Sequence, residues 1–195
     1  MSLKLRLIVM NFLQFFVWGA WLITIGRYWF ENQHWSGTSF GAIFSTMGIS
    51  ALFMPALMGV VADKWINAEK LYGALHIGGA IMLALVPSAG DPHTLFWVML
   101  VNMVFYMPTI ALAITVAYNA LKENNLDVVR DYPPIRVWGT VGFIAALWTT
   151  SLLGLETSPG QFYVAAAASA LLGVYAFTLP PCTPRMNRAE RRSLL

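Results

Sequence analysis

The chain has 195 residues, 58% hydrophobic and only 11% charged, where a soluble domain carries roughly a quarter of its residues charged. Mean hydropathy is +0.63, and the charges fall in short bursts between apolar runs of about twenty residues, enough to cross a bilayer as a helix. A soluble globular domain is excluded, and so is a transmembrane barrel, whose strands are shorter and alternate in polarity.

Six runs follow in chain order: 7–30, 41–61, 71–89, 95–120, 133–155 and 161–179. The expected fold class is therefore an all-α membrane protein with six transmembrane helices. Residues 1–181 are expected to form the helical domain, and 182–195 a basic tail or the start of a linker. The first run is too long for a signal-peptide core, and no small-x-small cleavage site precedes a soluble domain. Lys4, Arg6, Lys64, Lys70, Lys122 and Arg130 flank alternate connections, and Arg185, Arg188, Arg191 and Arg192 lie in the tail. This bias places both termini in the cytoplasm and accounts for the net charge of +3, so no nucleic-acid partner is assigned. The tail arginines can also meet anionic lipid, at about 1 kcal/mol per basic residue near the surface. One cysteine, Cys182, and three scattered histidines leave no material for a disulfide or a metal centre.

A polar side chain inside a membrane helix is costly, so its position carries information. Gln14, Trp18 and Trp21 share one face of the first helix by their i, i+4, i+7 spacing. Asn102, Tyr106 and Thr109 repeat that spacing beside Pro108 in the fourth, and Arg136, Thr140 and Phe143 in the fifth. One reading is a shared cavity in which rings stack on a flat solute and polar groups orient it. The other is that these residues bridge helices or anchor at the interface. If Pro133 opens the fifth helix, Arg136 lies one turn in, and it either snorkels to lipid phosphate, pairs with Asp131 or faces inward. Gly41, Ser45 and Gly48, with Gly139 and Gly142, are expected to permit close helix approach.

The second connection reads "GVVADKW", with Gly59 at a helix end and Asp63 and Lys64 beyond it. Asp63 can latch the cytoplasmic side by accepting from the N-terminus of a neighbouring helix, or sit in an ordinary solvated turn. The segment resembles the G-x-x-x-D-[RK] loop of the major facilitator superfamily, although the usual following Gly and basic pair are replaced by "INAEK". The segments "FLQFFVWGAWL", "FMPALMGVVADKW", "YMPTIAL" and above all "DYPPIRVWGTVGF" resemble the bacterial nucleoside:proton symporter family within that superfamily, from about Leu3 to Pro180.

The resemblance implies a major-facilitator half built as a 3+3 inverted repeat, and inner-membrane nucleoside uptake driven by protons, with no other cofactor. It also implies that Arg136, Thr140 and Phe143 contribute to the nucleoside site. Gln14, Trp18, Asn102, Tyr106 and Thr109 are added from helical phase alone, and Gly59, Asp63 and Lys64 form the gate motif. Six helices are half of the superfamily's twelve, so a second half, or a second copy of this chain, is an expected partner alongside the bilayer. The carboxylates fall in connections, at helix ends or in the tail, so proton coupling is expected mainly from that second half. A sugar or other polar solute carried on the same fold, or a six-helix module that does not transport, stays open. A membrane enzyme is not expected, since no H-E-x-x-H helix or intramembrane Ser–His pairing is visible.

Overall fold

The computed structural model describes residues 1–184, so Arg185, Arg188, Arg191 and Arg192 lie outside the described residues. All regular structure among the described residues is helical. α1 spans Leu3–Gly19, with the Ser2 hydroxyl accepting from the Leu5 N–H at its start. A run of turns follows, then α2, Ile25–Arg27, and a π-turn over Tyr28–Asn32. The first apolar run is thus broken near its middle. The break follows Gly19, where an added Cβ would stand 2.5 Å from the Phe143 carbonyl oxygen.

The other runs form one helix each. α3 is Phe40–Lys64, α4 is Ala68–Leu85, α5 is Pro92–Glu123, α6 is Val128–Leu152 and α7 is Gly160–Ala176. The segments Gly37–Lys64, Ala68–Ser88 and Pro92–Glu123 are long and apolar enough to cross a membrane, and α7 is a shorter apolar helix. α5 begins as its sequence dictates: Asp91 Oδ1 accepts from the His93 and Thr94 N–H groups, and Pro92 occupies the first turn.

α6 departs from expectation. Asp127, not Pro133, starts it, accepting from the Val129 and Arg130 N–H groups. Pro133 and Pro134 then lie inside the helix. Arg136 is eight residues past the first helical position, about 12 Å along the axis rather than one turn.

The packing follows a twofold pattern. α1 lies on α6 and α3 on α5; α1 meets α7 and α4 meets α5; α4 pairs with α7 and α1 with α5. Exchanging the first three spans for the last three maps each of these main pairs onto another or onto itself, as a 3+3 repeat does, while the smaller α5–α6 and α3–α4 contacts have no such counterpart.

Glycines set the closest crossings. A Cβ at Gly142 would run into the Phe12 carbonyl oxygen, and Gly73 and Gly173 lie backbone to backbone between α4 and α7. Gly41 and Gly48 have no neighbour within 4 Å, so that stripe of α3 is not a packing surface within this domain.

The core consists of two apolar clusters stacked along the helix axes. One gathers Trp21, Trp29, Met99, Met103 and Phe162, the other Leu7, Met10, Leu75, Val116 and Leu172. Between them Gln14, His76, Thr109 and Ser169 form a buried polar layer.

Candidate substrate site

The site is built on three helices. From α6, the guanidinium carbon of Arg136 stands 4.1 Å from the centroid of the Phe15 ring on α1, an attractive contact between a cation and a ring face. Phe15 neighbours Trp18 at 6.5 Å between centroids, and Trp18 neighbours Tyr106 of α5 at 5.6 Å. A half-buried cation thus stands at one end of a ledge of three aromatic rings. Trp18 Nε1 is buried without a hydrogen-bond partner. Arg136 is not held by Asp131. That carboxylate bonds Lys4 Nζ at 2.7 Å and lies 3.7 Å from Arg130.

Close helix contact fixes the ledge. Gly139 lies against Phe15 and the Arg136 guanidinium, and Gly19 against the Phe143 backbone. A side chain at Gly19 would press on the Phe143 backbone and force α1 and α6 apart, and one at Gly139 would displace the Phe15 ring or the Arg136 guanidinium.

The sequence-predicted residues divide into two groups. Arg136, Trp18 and Tyr106 come together, with Phe143 half-buried and Thr140 exposed further along α6. Gln14 and Thr109 are fully buried behind the ledge. Gln14 Nε2 donates to Thr109 Oγ1 at 2.8 Å, Gln14 Oε1 accepts from the Tyr72 hydroxyl at 2.6 Å, and the Thr109 hydroxyl donates to the Tyr106 carbonyl at 2.5 Å. Their polar groups are hydrogen-bonded within the domain. Asn102 is 2% exposed, lies beside Gly79, and has no hydrogen-bond partner for its buried Oδ1.

Phe15 lies off the i, i+4, i+7 phase of Gln14, Trp18 and Trp21, so the stripe does not include it. Its i, i+3 spacing to Trp18 was the available signal.

At the basic end, Asp63 and Lys64 close α3 as exposed residues, and Gly59 has no neighbour within 4 Å. Asp63 lines a cavity of about 230 Å³ with Tyr118, Lys122, Cys182 and Thr183. The segment after α7 closes this cavity. Ala68 N–H bonds the Cys182 carbonyl at 3.0 Å, Cys182 N–H bonds Glu69 Oε2 at 2.8 Å, and Asn119 Nδ2 bonds the Pro181 carbonyl at 3.3 Å. At the opposite end Arg27 forks onto Glu31 at 3.0 Å through two nitrogens and also bonds Glu156. The hydrogen bond from Arg27 holds the Glu31 carboxyl below its ordinary range. Among the described residues no group of His, Cys, Asp and Glu could hold a metal.

The family model described as Nucleoside H+ symporter matches residues 1–194. Xanthosine permease of Escherichia coli (strain K12) is 51% identical over 180 residues, covering 92% of this chain and 43% of that protein. Nucleoside permease NupG of the same organism is 48% identical over the same length, with the same coverage. A crystal structure of nucleoside transporter NupG superposes with a TM-score of 0.89 at 48% identity, covering 92% of this chain and 44% of that one. A mutant form of that transporter superposes with a TM-score of 0.92. The chain therefore spans less than half the length of these relatives, along a stretch that includes the α1–α6 crossing and the ledge it carries. It belongs to the nucleoside H+ symporter family.

Proposed function

We propose that the chain serves as one six-helix half of a proton-coupled nucleoside carrier in the bacterial inner membrane, with its basic end and both termini cytoplasmic. In this reading residues 1–181 are the membrane domain and 182–195 begin the connection to a second half. The observation that carries it is Arg136 seated on the Phe15 ring, with Trp18 and Tyr106 extending the aromatic surface.

A nucleoside offers a flat heteroaromatic base and a ribose rich in oxygen. The rings supply stacking area, and the guanidinium, with five fixed N–H donors, serves oxygens on the base or ribose. Thr140 and Phe143 extend the surface along α6. Arg136 fixes substrate orientation through its planar fork of donors. The carboxylates among the described residues lie at helix ends or in connections, and a carrier needs a titrating group within the membrane. The coupling carboxylate is therefore assigned to the second half. Asp63 of "GVVADK" acts at the cytoplasmic mouth, where Gly59 leaves α3 open to a neighbouring helix.

Calorimetric nucleoside binding to the purified carrier containing this chain tests the reading. Arg136→Ala is expected to weaken binding about tenfold or more, the cost of losing a charge-assisted hydrogen bond. Phe143→Ala should weaken it less. Unchanged affinity in both variants, or equal affinity for a free sugar, would refute the assignment.

A further inference from the structure

Behind the ledge, His76 is 1% exposed and projects from the middle of α4. Its Nε2 lies 2.9 Å from Gln14 Oε1, and its Nδ1 lies 3.1 Å from Ser169 Oγ on α7. The Tyr72 hydroxyl donates to the same Gln14 oxygen, and Gln14 Nε2 donates to Thr109.

Proton accounting assigns the roles. An amide oxygen only accepts, so the imidazole nitrogen facing it carries the hydrogen. With the amide turned over, its nitrogen would face Tyr72, and that buried hydroxyl would lose its acceptor at a cost. Ser169 has one proton, for which the His76 carbonyl at 2.8 Å and Nδ1 compete. The groups facing the ring are Tyr72 from its own helix, Gln14 from α1, Tyr106 from α5 and Ser169 from α7. None carries a charge, so the ring is held by hydrogen bonds alone.

Two bonds lead from this layer to the ledge. The Tyr106 hydroxyl donates to the main-chain carbonyl oxygen of Gln14 at 2.7 Å, and the Thr109 hydroxyl donates to the main-chain carbonyl of Tyr106. We propose that His76 is a positioning residue for the nucleoside site: its Nε2–H fixes the Gln14 amide, whose bond to Thr109 ties α1 to α5 and so keeps Trp18 of α1 against Tyr106 of α5. The inference rests on the nucleoside reading of the ledge, and its test separates the two.

The first arm reads the tautomer from ¹⁵N spectra of the histidine side chains in the detergent-solubilised chain. The Nε2–H form is expected for His76, and an Nδ1–H form would overturn the network. The second arm measures nucleoside uptake by the carrier containing this chain. His76→Leu should raise the apparent KM roughly fivefold to tenfold, the effect of one buried hydrogen bond, with the maximal rate and pH profile unchanged. His76→Gln, whose amide nitrogen can occupy the Nε2 position, should restore KM. If the leucine variant does not fold, His76→Asn replaces it, because that shorter amide reaches the Ser169 side only. Equal KM in all forms, failure of the glutamine variant to rescue, or a pH profile displaced by glutamine would each overturn the proposal. Absence of nucleoside uptake by the unmodified carrier counts against the functional reading instead, and the tautomer then decides the network by itself.

Discussion

Arg136 rests on a ring face, an arrangement that suits a planar guanidinium better than a compact, strongly hydrated ammonium. Arg136→Lys should therefore keep the charge yet lose much of the nucleoside affinity, with loss close to that of Arg136→Ala in a direct binding measurement. Asp131 shows a second use of charge. The Lys4 hydrogen bond holds its carboxyl below the ordinary carboxylate range, although its partial removal from water acts the other way. A carboxyl whose folded value is depressed stabilises the fold above its unfolded value of about 3.9 and loses that contribution as pH falls toward the folded value. Thermal melting of the chain is expected to drop across that acidic window, and Asp131→Asn should flatten the drop. Arg136 and Gln14 mark what was legible in the sequence. The spacing of Arg136, Thr140 and Phe143 could be read from the chain alone. That Gln14 turns inward could not, because its partners Tyr72 and His76 come from a helix whose periodicity singles out neither. The same blindness hid Phe15, whose value lies in what stands on it.

The α1–α6 crossing has no slack. Gly142→Ala would place a methyl in the Phe12 carbonyl, and overpacking of this kind costs about 1–3 kcal/mol or more where backbone must move. It should lower the melting temperature of the chain and weaken nucleoside binding together, because the same crossing seats Arg136. Gly48→Ala, with nothing within 4 Å of its added methyl, should leave the isolated domain's melting unchanged. The two glycine stripes look alike in sequence and differ only in what faces them, which periodicity cannot tell. Helix ends show the same limit. Pro133 reads as the opening of a helix, yet the Asp127 cap captures two N–H groups first and the helix runs on through both prolines. The interruption after Gly19 has no proline to announce it. Contact with Phe143 and the bond from the Thr24 hydroxyl to Gln161 Oε1 at 2.8 Å, both contributed by distant segments, accompany it.

The two triplets of spans pack as mirror roles of each other, and α3 turns Leu52, Phe53 and Leu57 outward, beside its unpartnered glycines. On the proposal that the chain is one six-helix half of a carrier whose coupling carboxylate lies on the other, proteoliposomes holding only these 195 residues should not concentrate nucleoside. Protonophore-sensitive accumulation by them would show instead that one half suffices. The overall architecture was open to sequence reasoning because the bilayer dictates helix length and polarity; the joining of distant segments was not. The bonds that tie Cys182 and Pro181 to Glu69, Ala68 and Asn119 are one such joint, and they give the chain a chemical clock. Its one cysteine is buried at 7% exposure beneath that joint, so a maleimide should react with it only as fast as the segment lifts. Glu69→Ala, which removes the acceptor of the Cys182 N–H, should speed that reaction, and labelling rates would then follow the detachment of the segment after α7 in a working membrane.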